Sequence, residues 1–296
     1  MCPSARTTPP ATTPPATALD RPLAGVRVVT TAPNLPGPVA AHRLVGLGAT
    51  VTKIEPPTGD MLAAVIPSFH RELAEGQEIR TLDLKTPDGR RELDTLLADA
   101  DLLLTSSRPR ALAGLGLSWE EVHARYPRLC QVSIVGHSGE GGDRPGHDLT
   151  YQAEAGVLVP PQMPTLPVAD LLGGERVVGE ATALLFRAAR TGTGSYREVA
   201  LAQAVEDAAA SVRHRLTAPG AVLGGALPTY GLYQASDGWV ALAAIEPHFM
   251  ARTGAELGVD PMDRDALASV FRTRTVAEWT ALAAAHDLPL VAVRVA

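Results

Sequence analysis

The sequence predicts an α/β protein in which a parallel sheet is covered by helices and a smaller α+β unit follows. Short apolar stretches of strand type alternate with longer helical stretches from residue 22 to residue 216, and such alternation favours parallel strands joined by crossover helices. A segment rich in Gly, Ala and Pro, PGAVLGGALP at 219–228, then precedes a hairpin pattern and a mostly helical remainder. We therefore predict a large domain over 22–218, a linker over 219–228 and a small domain over 229–296.

The elements follow one another in a regular order. VRVVT (26–30), a helical stretch over 36–48 and VTKIE (51–55) form the first βαβ unit. The pattern continues through strands and helices at 79–84, 87–99, 101–105, 109–125, 129–135, about 173–190 and 196–201, and ends in a helix that reaches residue 216. In the small domain, TYGLYQA and GWVALAA flank Ser-Asp-Gly, which is typical of a hairpin, and VAEWTALAAAH (276–286) predicts an amphipathic helix.

Composition and charge exclude several classes of function. The 296 residues, 46% of them hydrophobic, suffice for two cores, but the longest apolar stretches fall far short of the ~20 residues that a membrane-spanning helix needs. The net charge is −6 and only 4% of the residues are aromatic, so the sequence shows neither a basic groove nor a stacking platform for nucleic acid. We expect no membrane and no nucleic-acid partner.

The N-terminal segment and the cysteines indicate the compartment. MCPSARTTPPATTPPATALD lacks periodicity and the apolar core of a signal peptide, and we predict a disordered tail over 1–21. Cys2 and Cys130 match no metal-ligand spacing and no disulfide framework, and the histidines lack ligand spacing. We therefore expect no metal site and a cytoplasmic protein.

Two features near the strands and helices of the large domain admit both a structural and a functional interpretation. The loop NLPGP (34–38) is either a loose phosphate cradle or a tight turn whose proline starts a helix. Asp170, in VADLLGGE, is either the N-cap of the long helix or a catalytic carboxylate. In the second case the amides of Gly173 and Gly174 would also stabilise a developing oxyanion.

Two further residues carry the same ambiguity. His147, in RPGHD, is either bonded to its own loop or a catalytic base. Glu246 follows VALAAI directly, and a charged residue at that position is not expected to be fully buried without a partner. Its structural interpretation is a strand-end residue ahead of Pro247 at the first position of a helix.

Eight blocks of sequence carry a resemblance: PLAGVRVV, NLPGP, GLGATVTKIEPPTGD, LDLKTPDGR, ADADLLL to SSRP, LGLSWEEV, RPGHDLTYQAEAG and TGTGSYREVAL. Together, in this order and spacing, they resemble the family III CoA-transferases, a family that also contains α-methylacyl-CoA racemase. The resemblance implies a Rossmann-like large domain, a smaller domain, an acyl-CoA or related acyl thioester as substrate, and a homodimer of two interlocked chains. It implies no cofactor beyond coenzyme A as the carrier of the acyl group.

The two branches of this family would use the same aspartate differently. In the racemase branch, the residue matching Asp170 works opposite a histidine that matches His147, and AIEPHF is similar to a racemase segment whose glutamate matches Glu246. In the transferase branch, the aspartate attacks the thioester, and an aromatic residue is common at the position of the histidine. We therefore favour an acyl-CoA racemase or epimerase that acts at C2 of a 2-methylacyl thioester, with a family III CoA-transferase as the alternative.

The resemblance also implies where coenzyme A binds. Arg108, in SSRP, matches the arginine of the family's FRPG block and is a candidate contact for the CoA phosphates, although a surface arginine ahead of a helix fits the pattern as well. Lys53 is a weaker candidate of the same kind. Gly173 and Gly174 complete the residues that we assign to the bound thioester.

The sequence departs from the family at several positions. Residues 76–79 read GQEI where relatives often carry positive charge, Leu171 and Leu172 replace an aromatic residue and a glycine, and relatives continue beyond the position that matches Ala296. These departures motivate a third hypothesis, a repurposed member that binds a protein partner or an acyl carrier without catalysis.

Overall fold

The computed structural model describes residues 21–294, so all of the predicted tail except Arg21 lies outside the described residues. The chain forms two compact units that divide between Asp207 and Ala208. The domain limits expected from the sequence (22–218, 219–228 and 229–296) place the end of the large domain later in the chain, and they stay a prediction.

The first unit contains a six-stranded sheet whose strand pairs are all parallel. Its strands lie in the order β3-β2-β1-β4-β5-β6, which is the order of a doubly wound dinucleotide-binding fold. The strands are β1 (Arg27–Thr30), β2 (Thr50–Glu55), β3 (Glu78–Thr81), β4 (Leu102–Thr105), β5 (Cys130–Val135) and β6 (Tyr196–Ala200). The predicted Rossmann-like sheet is confirmed.

Nine helices connect or follow these strands within the described residues. They are α1 (Pro36–Gly46), α2 (Met61–Val65), α3 (Pro67–Leu73), α4 (Pro87–Ala98), α5 (Pro109–Gly114), α6 (Trp119–Arg125), α7 (Asp148–Glu154), α8 (Val168–Thr191) and α9 (Leu201–Ala208). The sequence predicted α1, α4, α5 and α6 close to these bounds, whereas it placed the start of α8 too late and did not predict the short helices α2, α3 and α7.

Alternate residues of the strands pack on opposite faces of the sheet. Val28 and Leu102 belong to the hydrophobic core that contains the buried residues of α1 and α8. Their chain neighbours Val29 and Leu103 belong to the core that contains the buried residues of α4, α5 and α6. Such uninterrupted apolar strands are typical of a parallel sheet buried on both faces, and helices on both faces are what the sequence predicted.

The second unit has its own small antiparallel sheet and core. β7 (Tyr230–Gln234) and β8 (Trp239–Ala243) form the predicted hairpin, and β9 (Leu290–Ala292), which the sequence did not predict, pairs with β8. A π-helical turn at Val222–Ala226 lies inside the predicted linker. The helices of this unit are α10 (Ala210–Arg213), α11 (Pro247–Leu257), α12 (Arg264–Phe271) and α13 (Val276–His286). α13 has the bounds that its sequence pattern predicted.

None of the helices formed by residues 21–294 combines the length and the apolar character that crossing a bilayer requires.

Candidate active site

A cavity of about 210 Å³ lies at the carboxyl ends of β1, β4 and β5. The order of the strands reverses between β1 and β4, and in open α/β sheets ligands bind in the crevice outside this point of reversal. The lining residues from the strand ends and their loops include Pro33, Asn34, Pro36, Ser106, Arg108, Val135 and Gly136, and those from the later loops and helices include Arg144, Gly146, His147, Tyr151 and Asp170.

His147 lies at the start of α7, where its backbone is fixed by the first turn. The backbone N–H of His147 donates to Oγ1 of Thr150 over 3.1 Å, and the Thr150 hydroxyl donates to the His147 carbonyl over 2.8 Å. One interpretation of the sequence had His147 bonded to its own loop. These hydrogen bonds within the loop are made by the backbone of His147. The side chain is exposed and lines the cavity, which leaves the imidazole accessible to a ligand.

Asp170 is the third residue of α8, so the interpretation of Asp170 as an N-cap is wrong. The helix begins at Val168, and the residue before it is Pro167, whose side chain offers no cap. The capping oxygen comes instead from Asp148 of α7, whose Oδ1 accepts the backbone N–H groups of Ala169 over 2.7 Å and of Asp170 over 3.1 Å. Because a side chain from another helix supplies the cap, the helix starts earlier than its own sequence indicates.

Asp148 connects the start of α7, beside His147, to the start of α8, which contains Asp170. Its Oδ2 accepts from Nε2 of Gln152 over 2.5 Å, and the same amide nitrogen donates to the Leu166 carbonyl over 3.1 Å. Since Asp148 directly follows His147 in the chain and binds the amide of Asp170, one carboxylate fixes the backbone beside both residues. A role for Asp148 was not predicted from the sequence, and the signal for it was its position in the GHD motif.

The carboxylate of Asp170 is half-buried and forms no hydrogen bond or ion pair with residues 21–294. Burial, together with the nearby negative charge of Asp148, raises the pKa of Asp170 to about 6. The carboxyl group therefore exists in both protonation states near neutral pH, as a group that accepts and returns a proton must. A charged group held without a partner in a cleft is typical of a functional site.

Two arginines give the cavity positive charge. Arg108 precedes α5, is exposed, and has no ion-pair partner in the described part of the chain. Arg144, which the sequence analysis did not single out, donates to Glu154 over 3.1 Å. The free guanidinium of Arg108 is suited to an anionic group such as a phosphate.

Lys53 does not line this cavity. It is 2% exposed, and its ammonium group lies 2.8 Å from Glu55, 2.6 Å from Asp60 and 3.3 Å from the His70 ring. Burial alone would raise the pKa values of Glu55 and Asp60. Hydrogen bonds outweigh burial and lower both pKa values below their usual range, and the hydrogen bond from Lys53 is the strongest of them. The charge of Lys53 is therefore already paired. Its assignment to CoA stays a prediction, and the buried position of Lys53 does not favour it.

The same cluster positions one wall of the cavity. Glu55, Asp60 and His70 are the ligand-type side chains that come close enough together to suit a metal ion among residues 21–294, yet Lys53 contacts all three. Asp60 also accepts the backbone N–H of Asn34 over 3.3 Å. Asn34 has a left-handed backbone (φ 68°) and lines the cavity, so the buried cluster holds a residue whose conformation is otherwise unfavourable. The loop NLPGP is thus a turn, and Pro36 starts α1.

Gly173 and Gly174 are buried in the second turn of α8. Amides at this depth in a helix pair with carbonyls four residues earlier, so the proposed donation of these amides to an oxyanion competes with the helix. A Cβ at Gly174 would lie 2.9 Å from Cγ1 of Val39 in α1, and one at Gly173 would collide with Leu201. The two glycines therefore allow close packing around the cavity, and their assignment to the bound thioester remains untested.

Glu246 belongs to the second unit. It directly precedes α11, with Pro247 at the first position of that helix, and its side chain is exposed. This placement matches the structural interpretation of the sequence. Its role as a partner of His147 stays a prediction.

Curated proteins of two kinds of activity are similar to this chain. The chain is 34% identical over 233 residues to a subunit of succinyl-CoA:(R)-benzylsuccinate CoA-transferase from Thauera aromatica, covering 71% of this chain and 57% of the relative. It is 31% identical over 291 residues to the α-methylacyl-CoA racemase of Mus musculus, covering 87% of this chain and 74% of that protein. The chain spans only about half to three fifths of the length of the first curated relatives that it matches.

Solved structures show the same fold. A hypothetical protein (Rv3272) of Mycobacterium tuberculosis superposes with a TM-score of 0.80 at 24% identity, covering 93% of this chain and 86% of that one. A CAIB/BAIF family protein of Brucella suis gives a TM-score of 0.78 at 24% identity, covering 93% and 85%. The model of CoA-transferase family III matches residues 23–296, and the chain therefore belongs to CoA-transferase family III.

Proposed function

We propose that the protein is an acyl-CoA racemase or epimerase that moves the proton at C2 of a 2-methylacyl thioester through an enolate. The observation that carries this proposal is the presence of His147 and Asp170 in one cavity, on helices tied together by Asp148. A two-base mechanism needs two groups that exchange protons near neutral pH. A carboxyl group with a pKa of about 6 and an imidazole fit that requirement.

The chemistry proceeds in two proton transfers. One of the two groups removes the C2 proton, and the electrons of the broken C–H bond form the enolate of the thioester. The other group then donates a proton to C2 from the opposite face, which inverts the configuration. Each transfer contributes a factor of ~10²–10⁴ to the rate, and the two residues exchange roles for the reverse reaction.

The remaining assignments complete the proposal. Coenzyme A is the carrier of the substrate and we propose no other cofactor; Arg108 contacts its phosphates. Glu246 holds the imidazole of His147 and stabilises its protonated form. A cytoplasmic homodimer is part of the same proposal, and sedimentation equilibrium of the purified protein tests the dimer.

Family III CoA transfer is the second candidate, and it is supported by the transferase names of several relatives. In that reaction a carboxylate oxygen of Asp170 attacks the thioester carbonyl, the C–S bond breaks, and CoA leaves as the thiolate. The thiolate then attacks the aspartyl carbonyl of this acyl anhydride, which releases the donor acid as a carboxylate and leaves CoA on Asp170 as a thioester. An acceptor carboxylate displaces CoA to form a second anhydride, and the thiolate attacks the acyl carbonyl of that anhydride to give the new acyl-CoA and free Asp170. The free, half-buried carboxylate suits a nucleophile as well as a base.

Proton exchange at C2 separates these candidates. The protein is incubated in D₂O with 2-methylacyl-CoA, and loss of the C2 proton is followed by NMR. We expect exchange in the wild type and its suppression by Asp170→Asn and by His147→Ala. His123→Ala is the matched control because His123 stacks on Trp119 in α6 and lies outside the cavity.

The other outcomes redirect the proposal. Binding without exchange, together with an acyl-enzyme that hydroxylamine traps in the wild type and in His147→Ala, would establish CoA transfer through Asp170. No binding of the thioester at all would contradict both reactions and favour a repurposed binding protein.

A further inference from the structure

Tyr151 is a buried residue whose hydroxyl has no hydrogen-bond partner among the residues that the structure describes. The side chain is 3% exposed, yet its hydroxyl forms no hydrogen bond with any residue between 21 and 294. Tyrosine hydroxyls inside a protein usually have a hydrogen-bond partner. The Tyr151 oxygen is not one of the fully enclosed side-chain atoms that lack a partner, so it is accessible from a cavity. The residue also lines the cavity that contains His147 and Asp170, so a ligand in that cavity is placed to supply the missing partner.

Two glycines show where the hydroxyl lies. A Cβ at Gly146 would come 2.7 Å from the Tyr151 oxygen, and a Cβ at Gly136 would collide with the same atom. Both glycines line the cavity. The hydroxyl end of Tyr151 is therefore enclosed by two residues of the cavity wall, and any larger residue at either position would displace it.

The position of Tyr151 relates it to the reactive pair. It follows His147 by four residues, one turn along α7. Burial and, next, the charge of Asp170 raise the pKa of Tyr151. The phenol therefore remains protonated near neutral pH and serves as a hydrogen-bond donor close to Asp170, without being bonded to it.

We propose that the Tyr151 hydroxyl is a catalytic hydrogen-bond donor to the carbonyl oxygen of the acyl thioester. This inference rests on the proposed function, because an acyl thioester must be the substrate. Negative charge develops on that oxygen when C2 loses its proton, and a donor fixed in advance stabilises the enolate more than the ground state. No proton is transferred: the O–H bond of Tyr151 stays intact while the hydrogen bond strengthens. In the transfer reaction the same donor would serve the tetrahedral intermediate.

Tyr151→Phe tests the proposal because it removes the hydroxyl and keeps the ring. We expect the maximal rate of C2 exchange to fall about 10²–10³-fold, with a much smaller rise in KM, since the hydrogen bond is weaker in the bound substrate than in the transition state. Tyr126→Phe is the matched control. The Tyr126 hydroxyl donates to Asp94 over 3.0 Å, in the same unit but outside the cavity, and its loss should leave the exchange rate unchanged.

A second variant perturbs the hydroxyl while leaving Tyr151 in place. Gly136→Ala should displace the hydroxyl and slow exchange, because a Cβ at Gly136 would meet the Tyr151 oxygen first and lie 3.1 Å from the ring carbon that carries it. The double variant Gly136→Ala/Tyr151→Phe should be no slower than Tyr151→Phe. This lack of additivity identifies a shared effect on the oxygen of Tyr151. Additive losses in the double variant would instead assign the glycine effect to another part of the wall and count against the proposal.

Binding of two unreactive ligands separates the carbonyl contact from general packing. 2,2-Dimethylpropionyl-CoA has a thioester carbonyl but no C2 proton, and the corresponding S-alkyl thioether of CoA has no carbonyl. Calorimetry should show that Tyr151→Phe weakens binding of the thioester and leaves binding of the thioether unchanged. An active wild type with a fully active Tyr151→Phe variant would overturn the role of Tyr151 alone, whereas an inert wild type would overturn the proposed function and this inference with it.

Discussion

Asp60 and Asp170 are aspartates of the same unit whose pKa values shift in opposite directions. Burial acts to raise the pKa of both. Asp60 accepts hydrogen bonds from Lys53 over 2.6 Å, from the Leu62 amide over 2.9 Å and from the Asn34 amide over 3.3 Å, and its pKa is lowered. Asp170 has no such partner among residues 21–294 and lies near Asp148, and its pKa rises to about 6. The partners, rather than the depth of burial, decide the direction.

This difference separates a carboxylate that stabilises the fold from one that we propose to act on a substrate. Asp60 joins β2, the start of α2 and the loop at Asn34, and each of its contacts stabilises the fold. Asp170 keeps a carboxylate in a cavity where none of the described residues donates a hydrogen bond to it, and this costs stability. Such a cost is typical of groups whose partner is a substrate, so the comparison yields opposite expectations for the removal of charge at the two places.

The largest effect is expected from Asp170→Asn. C2 exchange should fall about 10³-fold, because the group that accepts or donates one proton is lost. The fold should become more stable above the folded pKa, by about 1–2 kcal/mol after allowance for solvent screening. The folded pKa of about 6 lies above the ordinary value of 3.8 for aspartate, so the native carboxyl group increasingly opposes folding as the pH rises from 3.8 to 6.

Urea unfolding near pH 8 and near pH 4 checks this sign. The variant should be more stable than the wild type near pH 8, and the difference should shrink near pH 4, where the native carboxyl group is protonated. Asp94→Asn is the matched control, since Asp94 pairs with Arg125 over 2.6 Å and its substitution should not stabilise the protein. A destabilised Asp170→Asn variant near pH 8 would contradict the assignment of Asp170 as an unpaired charge.

Lys53→Met is the corresponding change in the paired cluster, and we expect a loss of about 3 kcal/mol in the free energy of unfolding. It leaves Glu55 and Asp60 buried without their cation, and breaking a buried ion pair on one side is strongly destabilising. Urea unfolding near neutral pH measures this loss. Lys85→Met is the control because Lys85 is exposed, and a loss as small as that of Lys85→Met would show that the cluster does not stabilise the fold.

The pH dependence of unfolding gives a smaller effect of the same origin. The folded pKa values of Glu55 and Asp60 lie below their ordinary values of 4.5 and 3.8. Their contribution is therefore complete above about 4.5 and is lost as the pH falls through the folded pKa values. Thermal unfolding of the wild type should show this acid loss, and Lys53→Met should reduce its slope. An unchanged slope in the variant would place the acid-sensitive carboxylates elsewhere.

The fold was largely predictable from the sequence because its signals are local. The apolar strands of the sheet are buried on both faces, so each is an uninterrupted run that the sequence shows directly. The hairpin at Ser-Asp-Gly and helix α13 have the same local character. The short strand β9 was missed because its three residues, LVA, carry no pattern of their own and gain their strand conformation from pairing with β8.

The site was predictable only in part, because several of its contacts join distant segments. His147 and Asp170 came from the resemblance to a family, and the structure places both in the cavity. Asp148 was missed since its capping bonds reach residues 169 and 170, and Tyr151 was missed since a buried aromatic residue on a helix is usually a packing residue. Lys53 was assigned to CoA because its partners Asp60 and His70 follow it on segments whose short helices the sequence did not predict.

Asp148→Asn should give the smallest effect and the sharpest test of how Asp170 is tuned. The amide oxygen of asparagine still accepts the N–H groups of Ala169 and Asp170, so α8 keeps its cap, but the negative charge is lost. The pKa of Asp170 should then fall from about 6, because the raised pKa has two causes, burial and then the charge of Asp148. The acidic limb of the C2 exchange profile should move to lower pH, with little change in rate on the plateau.

Asp148→Ala is the contrasting variant, since it also removes the cap and should cost ~1 kcal/mol of stability. A limb that stays in place in Asp148→Asn would assign the raised pKa to burial alone, and the difference between Asp60 and Asp170 would then rest on the missing hydrogen-bond donors rather than on a neighbouring charge.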